Sequence, residues 1–441
     1  MKVFVVGDGG REDSICWKLR SENVEVFRSS TYTKDYDFND LVIIGPEAPI
    51  AEGLVDELES ENIPVFGPTK LAGRLETSKL WAKQFMQRHD IRTARWLTYT
   101  RNSQGMTQSM GDLYTWRDQM PHTILSTVPL RTENPRYPVV IKEDGLCEGK
   151  GVVICKSRDE ANSEIPYVFI ENRFNSPSNK ILFEDFIEGV EASCFVLTDG
   201  KDYKFLPFCQ DHKPVGEGNT GPNTGGMGAF CPTSRITDGL KKKIEKEIVV
   251  PTLEGMREEG LPYRGVLYIG LMINFDDPFE KEGTPYVIEY NVRFGDPECQ
   301  VLMMLMKSDL YPLLKSIADG TLGQQPDPEF YDGSVVTVVM CSEGYPKKYK
   351  KGHAIKGIYD IVDRKSEKIT YRTYSVVEQD PCVEVFHAGT KWEGDQYVTD
   401  GGRVLNVTAR GNDLQDARER AYETVKQISW EGSFYRSDIG Q

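Results

Sequence analysis

The first thirteen residues, "MKVFVVGDGGRED", constrain the fold most tightly. A β-branched run at 2–6 breaks into glycine and passes straight into "REDSICWKLR", where Ile15, Cys16 and Leu19 recur at helical spacing. Strand, glycine turn and helix open a parallel α/β unit, because parallel neighbours need a crossover connection. "VEVFRS", "DLVIIGPE" and "IPVFGP" repeat the strand pattern, with the helix "IAEGLVDELESEN" between the last two. Four such strands predict a small doubly wound domain over residues 1–76, with ligands at the carboxyl ends of its strands.

At 441 residues the chain is too long for one core. A second region is expected over 77–325. It opens on the helix "SKLWAKQFMQRHD", carries a polar insertion at about 101–137, and turns to β pattern in a lid at about 137–200. The helix "ITDGLKKKIEKEIVVPTLEGMREEG" then precedes the strands "GVLYIGLMINF" and "PYVIEYNVRF". Residues 326–441 read as a small closing α/β domain.

A composition of 39% hydrophobic and 27% charged residues is that of an ordinary globular chain. The net charge of -15 argues against a nucleic-acid binder, which needs a basic face, but leaves room for a locally positive pocket. Nine cysteines are scattered with no CxxC, which fits reduced thiols, and the five histidines lack zinc-ligand spacing. A metal, if used, should take oxygen ligands, as magnesium or manganese does. No signal-peptide pattern or run of eighteen apolar residues is present, so the expectation is a cytoplasmic protein with no membrane partner.

Four stretches carry chemistry. "VVGDGGRE" has Glu12 where a dinucleotide fingerprint needs its third glycine, so a phosphate or phosphosugar held by Gly9, Gly10 and Arg11 fits better than a nicotinamide cofactor. A merely tight turn is the plain alternative. "VVIKEDGLCEGKGVVIC" joins two strands by a loop with Lys142 before it and Gly149, Lys150 and Gly151 within it. Such a hairpin can fold over nucleotide phosphates, or stand exposed with solvated lysines. In "LFEDFIEGVEAS", Glu184 and Glu191 can accept from an exocyclic amine and ribose hydroxyls, although turn carboxylates are commonly just solvated. In "VIEYNVRFGDPE", Glu289 and Asn291 share one strand face and can hold a magnesium ion beside Arg293; a polar edge strand is the alternative. A further stretch, "GEGNTGPNTGGMGAF" at 216–230, has six glycines and predicts close approach of a partner to bare peptide, with a flexible linker as the plain alternative.

Together with "GPEAPIAEGLVD", "LETSK", "QDHKPVGEGNTGPNTGGMGAF", "RFGDPECQ", "VFHAGT" and "GGRVLNVTA", these stretches resemble, nearly end to end, the phosphoribosylamine-glycine ligase family of ATP-grasp enzymes. The resemblance implies an ATP-grasp fold of mixed α/β and α+β class. It implies a ligase that uses ATP and Mg²⁺ or Mn²⁺ to join glycine to 5-phosphoribosylamine in purine biosynthesis, with a monomer as the working expectation. It places Lys142, Gly149, Lys150 and Gly151 at the ATP phosphates, Glu184 at the adenine and Glu191 at the ribose, with Phe186 and Ile187 also in the ATP site. Glu289 and Asn291 would ligate the metal. Gly9, Gly10, Arg11, Glu12, Gly45, Pro46 and Glu47 would face the phosphosugar. Arg293, Asp211 and Lys213 would serve the acyl-phosphate end, with Asn223, Thr224, Gly225, Gly226, Met227, Gly295 and Asp296 around the substrates. The chain departs from the family pattern at Asp13, where histidine is usual, at Pro214, where arginine is usual, and in lacking a "PGN" turn after the second strand. An ATP-grasp ligase for another small amino acid or another phosphosugar amine is therefore kept beside the main reading.

Overall fold

The computed structural model describes residues 1–22, 24–33, 40–102, 105–108, 137–146, 151–169, 178, 180–276, 280–358 and 382–441. The insertion expected at about 101–137 lies almost wholly outside them, as do Gly149 and Lys150.

The chain begins with strands β1 (Lys2–Val6), β2 (Glu25–Ser29), β3 (Leu41–Ile44) and β4 (Val65–Phe66), paired in parallel in the order β2-β1-β3-β4. Every residue of β3 is buried, as expected for a parallel strand covered on both faces. The chain leaves β1 at Gly7 and β3 at Gly45, whose amide is held by the Val6 carbonyl at 3.0 Å. The carboxyl ends of both strands thus open side by side. The helix Gly10–Ser21 starts there and packs on the helix Glu298–Leu305.

A five-stranded sheet follows, built from β5 (Trp96–Asn102), β6 (Gly105–Gln108), β7 (Val139–Glu143), β8 (Val152–Cys155) and β9 (Lys180–Asp185), ordered β6-β5-β9-β7-β8. The expected hairpin is present, with Lys142 opposite Val152. A second antiparallel sheet joins β10 (Val190–Thr198), β11 (Tyr203–Phe205), β16 (Gly265–Asn274) and β17 (Thr284–Asn291) in the order β11-β10-β16-β17. The register slips at Gly270, so that Gly270 faces Glu289 and Leu271 faces Val287. A side chain on Gly270 would lie 3.1 Å from the Glu289 Cγ, so the glycine leaves space for that glutamate on the sheet face.

The last sheet is six-stranded and takes strands from two parts of the chain. β12 (Gln210–Asp211) and β15 (Gly228–Cys231) lie beside β18 (Ser334–Ser342), β22 (Arg403–Gly411) and β19 (Val383–His387), and β23 (Ser433–Phe434) pairs with β18. Two hairpins flank it, β13 (Pro214–Gly216) with β14 (Thr220–Asn223), and β20 (Thr390–Glu393) with β21 (Gln396–Thr399). The helix Leu414–Val425 covers one face of this sheet through Ala417, Ala421 and Val425. The long helix expected across 236–260 runs without a gap from Asp238 to Glu258, with a π turn at Glu245–Val249. Pro251 accounts for the π turn, since it lacks an amide hydrogen and crowds the carbonyl four residues before it.

The eight described cysteines are free thiols, seven of them buried, in keeping with the reduced state expected from sequence. Among the described residues no helix is long and apolar enough to cross a membrane.

His212 and His387 are both buried, and burial pulls each down to about 4. Their folded values lie below the unfolded value of about 6.5, so unfolding takes up protons at acid pH. The stability they contribute is complete above that unfolded value and is lost as pH falls towards 4. Replacing both with glutamine is expected to flatten the drop in the urea midpoint between about pH 7.5 and about pH 5.5.

Candidate active site

The three sheets and the amino-terminal domain meet around one cavity of about 420 Å³. Seven lysines and arginines line it, namely Arg11, Lys79, Lys83, Lys142, Lys213, Arg293 and Arg403. Nine aspartates and glutamates line it as well, so the cavity gathers charges of both signs, and its cations are available to an anionic ligand.

β7 and β9 are neighbours with Lys142 opposite Leu182, and their side chains converge on the cavity roof. Glu184 lies between two ammonium groups, 2.9 Å from Lys142 and 3.0 Å from Lys83, and these cations hold its carboxyl below the usual range against burial. Lys142 also donates to the Ile288 carbonyl at 3.1 Å. The opposite wall is β17. Glu289 pairs with Lys213 at 3.1 Å, and that ammonium pulls its carboxyl down to about 2. Glu289 and Asn291 line the cavity, as do Ile288 and Tyr290, and their strand reaches Lys142 through the Ile288 carbonyl.

Beyond Asn291, the Arg293 guanidinium spans Glu47 (3.2 Å), Glu76 (3.0 Å) and the Asn291 Oδ1 (3.0 Å). It joins β17 to the amino-terminal domain. Burial raises Glu76 to about 7 against the pull of Arg293. Arg11 reaches the same end of the cavity and donates to the Phe294 carbonyl at 3.0 Å. Asp211 is raised well above its ordinary value by burial and by nearby Glu298, and its Oδ1 has no hydrogen-bond partner. The carboxyl-terminal domain contributes Arg403, which pairs with Asp296 at 3.0 Å and donates to the Gly225 carbonyl at 2.6 Å. The Gly225 amide donates to the Tyr345 hydroxyl at 3.0 Å, so that domain holds both backbone polar groups of this residue of the glycine-rich loop.

Most residues singled out from sequence meet here. Lys142, Gly151, Glu184, Phe186, Ile187 and Glu191 line the roof side. Arg11, Pro46, Glu47, Asp211, Lys213, Asn223, Thr224, Gly225, Glu289, Asn291, Arg293 and Asp296 line the remainder. Others sit behind the surface. Met227 is fully buried in the carboxyl-terminal core, with its sulfur 3.8 Å from that of Cys341, and packs the sheet where substrate contact was expected. The Glu12 carboxylate turns inward, accepting from the Gly9 amide at 2.9 Å and from Arg11 at 2.6 Å. It also fills the space beside Gly45, as Asn406 does beside Gly10 and Glu298 beside Gly295. Gly226 has φ +115°, and a side chain on it would meet Pro297 and Asp211. The partners approaching these glycines are side chains of the protein itself. Asp13 is committed to Arg28 (2.9 Å) and to the His387 amide (2.9 Å), so it links the amino-terminal helix to β2 and β19. The carbonyl of Pro214 accepts from Arg436 at 2.9 Å.

Glu76, Lys79, Lys83, Glu298, Tyr345 and Arg403 were not singled out from sequence. Glu76 and Lys79 stand in "LETSK" and Arg403 in "GGRVLNVTA", so those stretches marked their neighbourhood without marking their roles.

Three family models match in chain order: the amino-terminal domain of phosphoribosylglycinamide synthetase over residues 29–76, its ATP-grasp domain over 123–299 and its carboxyl-terminal domain over 335–441. Phosphoribosylamine-glycine ligase from Chlorobaculum tepidum is 38% identical, with 100% of this chain and 99% of that protein aligned. The chain belongs to the phosphoribosylamine-glycine ligase family. It is an ATP-dependent ligase of purine biosynthesis with an ATP-grasp fold. The trifunctional purine biosynthetic protein adenosine-3 of Bos taurus is also 38% identical, with 100% of this chain matching 42% of that protein. The crystal structure of the Thermotoga maritima ligase superposes with a TM-score of 0.77 at 30% identity, covering 99% of this chain and 100% of that one. A biotin carboxylase domain from Hydrogenobacter thermophilus, in complex with MgADP, shares the fold with a TM-score of 0.63 at 16% identity, covering 98% of this chain and 91% of that one.

Arg403→Lys keeps the charge but cannot hold Asp296 and Gly225 with one planar fork. Steady-state kinetics should show kcat/KM lower by about tenfold or more, with thermal stability changed by only a few degrees. Gly226→Val should abolish turnover while circular dichroism stays that of the wild type, because strain and crowding fall on the loop that carries Asn223 to Gly225.

Proposed function

We propose that this chain transfers the γ-phosphoryl group of ATP to the carboxylate of glycine and that the amine of 5-phosphoribosylamine then displaces phosphate from the acyl phosphate. A free carboxylate does not react with an amine, so phosphorylation supplies the leaving group. Catalysis of such a transfer is mainly positioning and charge neutralisation. The observation that carries the reading is that Lys142, Lys213, Glu184, Glu289 and Arg293 line one cavity whose walls come from different sheets.

In this reading Lys142 and Lys79 face the phosphates and Glu184 takes the exocyclic amine of adenine, offering the oxygen that has no partner. Phe186 and Ile187 flank the base, and Glu191 meets the ribose. The loop carrying Gly149, Lys150 and Gly151 completes the phosphate side. Arg293 steadies the growing charge on the acyl phosphate, with Lys213 and Asp211 beside it. Arg11, Pro46, Glu47, Asn223, Thr224 and Asp296 take the phosphosugar, while Gly9, Gly10, Glu12, Gly45, Gly226 and Gly295 shape the walls that hold those contacts.

Glu289 and Asn291 fit a hard divalent cation, being an ionised carboxylate and an amide oxygen lining one cavity. Among the described residues there is no group of three carboxylate, histidine or cysteine ligands, so phosphate oxygens and water would complete a Mg²⁺ or Mn²⁺ shell. Such an ion supplies charge neutralisation at the transferred phosphoryl.

ADP release measured over a panel of amino acids, with chemically generated phosphoribosylamine, tests the reading. Release that requires glycine and phosphoribosylamine supports it; release only with another acid or amine assigns the chain to a ligase of altered specificity. Glu289→Gln should raise the Mg²⁺ concentration for half-maximal rate by about tenfold or more, and an unchanged requirement would remove Glu289 from the metal site.

A further inference from the structure

Lys83 is 2% exposed, and a lysine is rarely enclosed to that degree unless it is paired. It projects from the helix Lys79–Arg88 to the Glu184 Oε2, and donates to the Thr93 hydroxyl at 2.7 Å. Thr93 in turn donates to the Val287 carbonyl at 2.6 Å. Lys142 reaches the same Oε2 from β7 and ends on the next carbonyl of β17, that of Ile288. Two ammonium groups therefore serve one carboxylate oxygen. The other oxygen, Oε1, is buried and has no hydrogen-bond donor, while its residue lines the cavity.

One cation would neutralise Glu184. The second has a use if one of the pair leaves when a ligand arrives. Lys142 is the cation that the nucleotide reading assigns to phosphates, whereas Lys83 stays tied through Thr93 to the strand behind it. Were Lys83 absent, movement of Lys142 towards phosphate would leave a buried carboxylate uncompensated, and Glu184 would take up a proton. A protonated Glu184 presents a donor, which suits a 6-oxo purine and opposes a 6-amino purine.

We propose that Lys83 is a positioning residue that keeps Glu184 ionised and aims its free oxygen at the amino group of a 6-aminopurine nucleotide, so that Lys142 can serve the triphosphate. This inference rests on the nucleotide reading above and extends it to base selection.

The test compares ATP with inosine triphosphate, which carries a 6-oxo group, in the wild type and in Lys83→Met. The wild type should prefer ATP, and the variant should lower the ratio of kcat/KM for ATP to that for inosine triphosphate by about tenfold or more, through a higher KM for ATP with kcat largely kept. Lys83→Arg should recover part of that ratio. A purely structural lysine would lower the melting temperature and leave the ratio alone, and a folded Lys83→Met enzyme with wild-type preference overturns the proposal. If Lys83→Met does not fold, Thr93→Val loosens the lysine without removing it and should lower the ratio by about threefold; an unchanged ratio overturns the proposal equally. A wild-type chain that releases no ADP from ATP under any substrate pair would instead defeat the nucleotide reading itself.

Discussion

Opposite charges brought out of water in one enclosed place are what the rest of the structure has to serve. Each buried ion carries a desolvation penalty of several kcal/mol, on the order of the whole stability of a domain, and good geometry must offset it. The chain meets this with partners drawn from distant segments. Arg293 sits between Glu47 and Glu76, Arg403 beside Asp296, and Glu184 between Lys83 and Lys142. No element supplies both members of these pairs, so the cavity exists only when the domains are assembled. A ligand rich in phosphate enters a cavity whose cations are already gathered and partly compensated.

Much of this was legible in sequence because it is local. Strand, turn and helix signals mark β1 to β3, and the two-residue spacing of Glu289 and Asn291 sets them on one face. The hairpin at Lys142 follows from a glycine-rich loop between apolar runs. What stayed hidden is non-local. Nothing near Arg403 announces that it crosses to Asp296 and Gly225, and Lys83 looks like any lysine of an amphipathic helix until Glu184 is seen beside it. The π turn beside Pro251 was hidden too, because the apolar period runs through it.

The glycine-rich stretch teaches a narrower lesson. Bare peptide predicts close approach without saying by what, and a substrate is the tempting answer. At Gly226 the neighbours are Pro297 and Asp211, and at Gly225 the neighbour is Arg403. Met227 fills the core behind them. Small residues here let charged side chains crowd against the backbone and hold the loop still, so their effect on a ligand passes through Asn223, Thr224 and the Gly225 peptide. Asp13 follows the same logic: an unusual residue in a familiar stretch is spent on Arg28 and the His387 amide.

The six-stranded sheet takes β12 and β15 from the middle of the chain and completes itself with strands that follow residue 333. During synthesis, β15 therefore emerges about a hundred residues before the neighbour that will cover its edge. Its four residues are all apolar or glycine and end buried, so until β18 arrives the nascent chain carries an open, adhesive border. A gene cut between the middle and the final domain would release two halves that each lack part of one sheet.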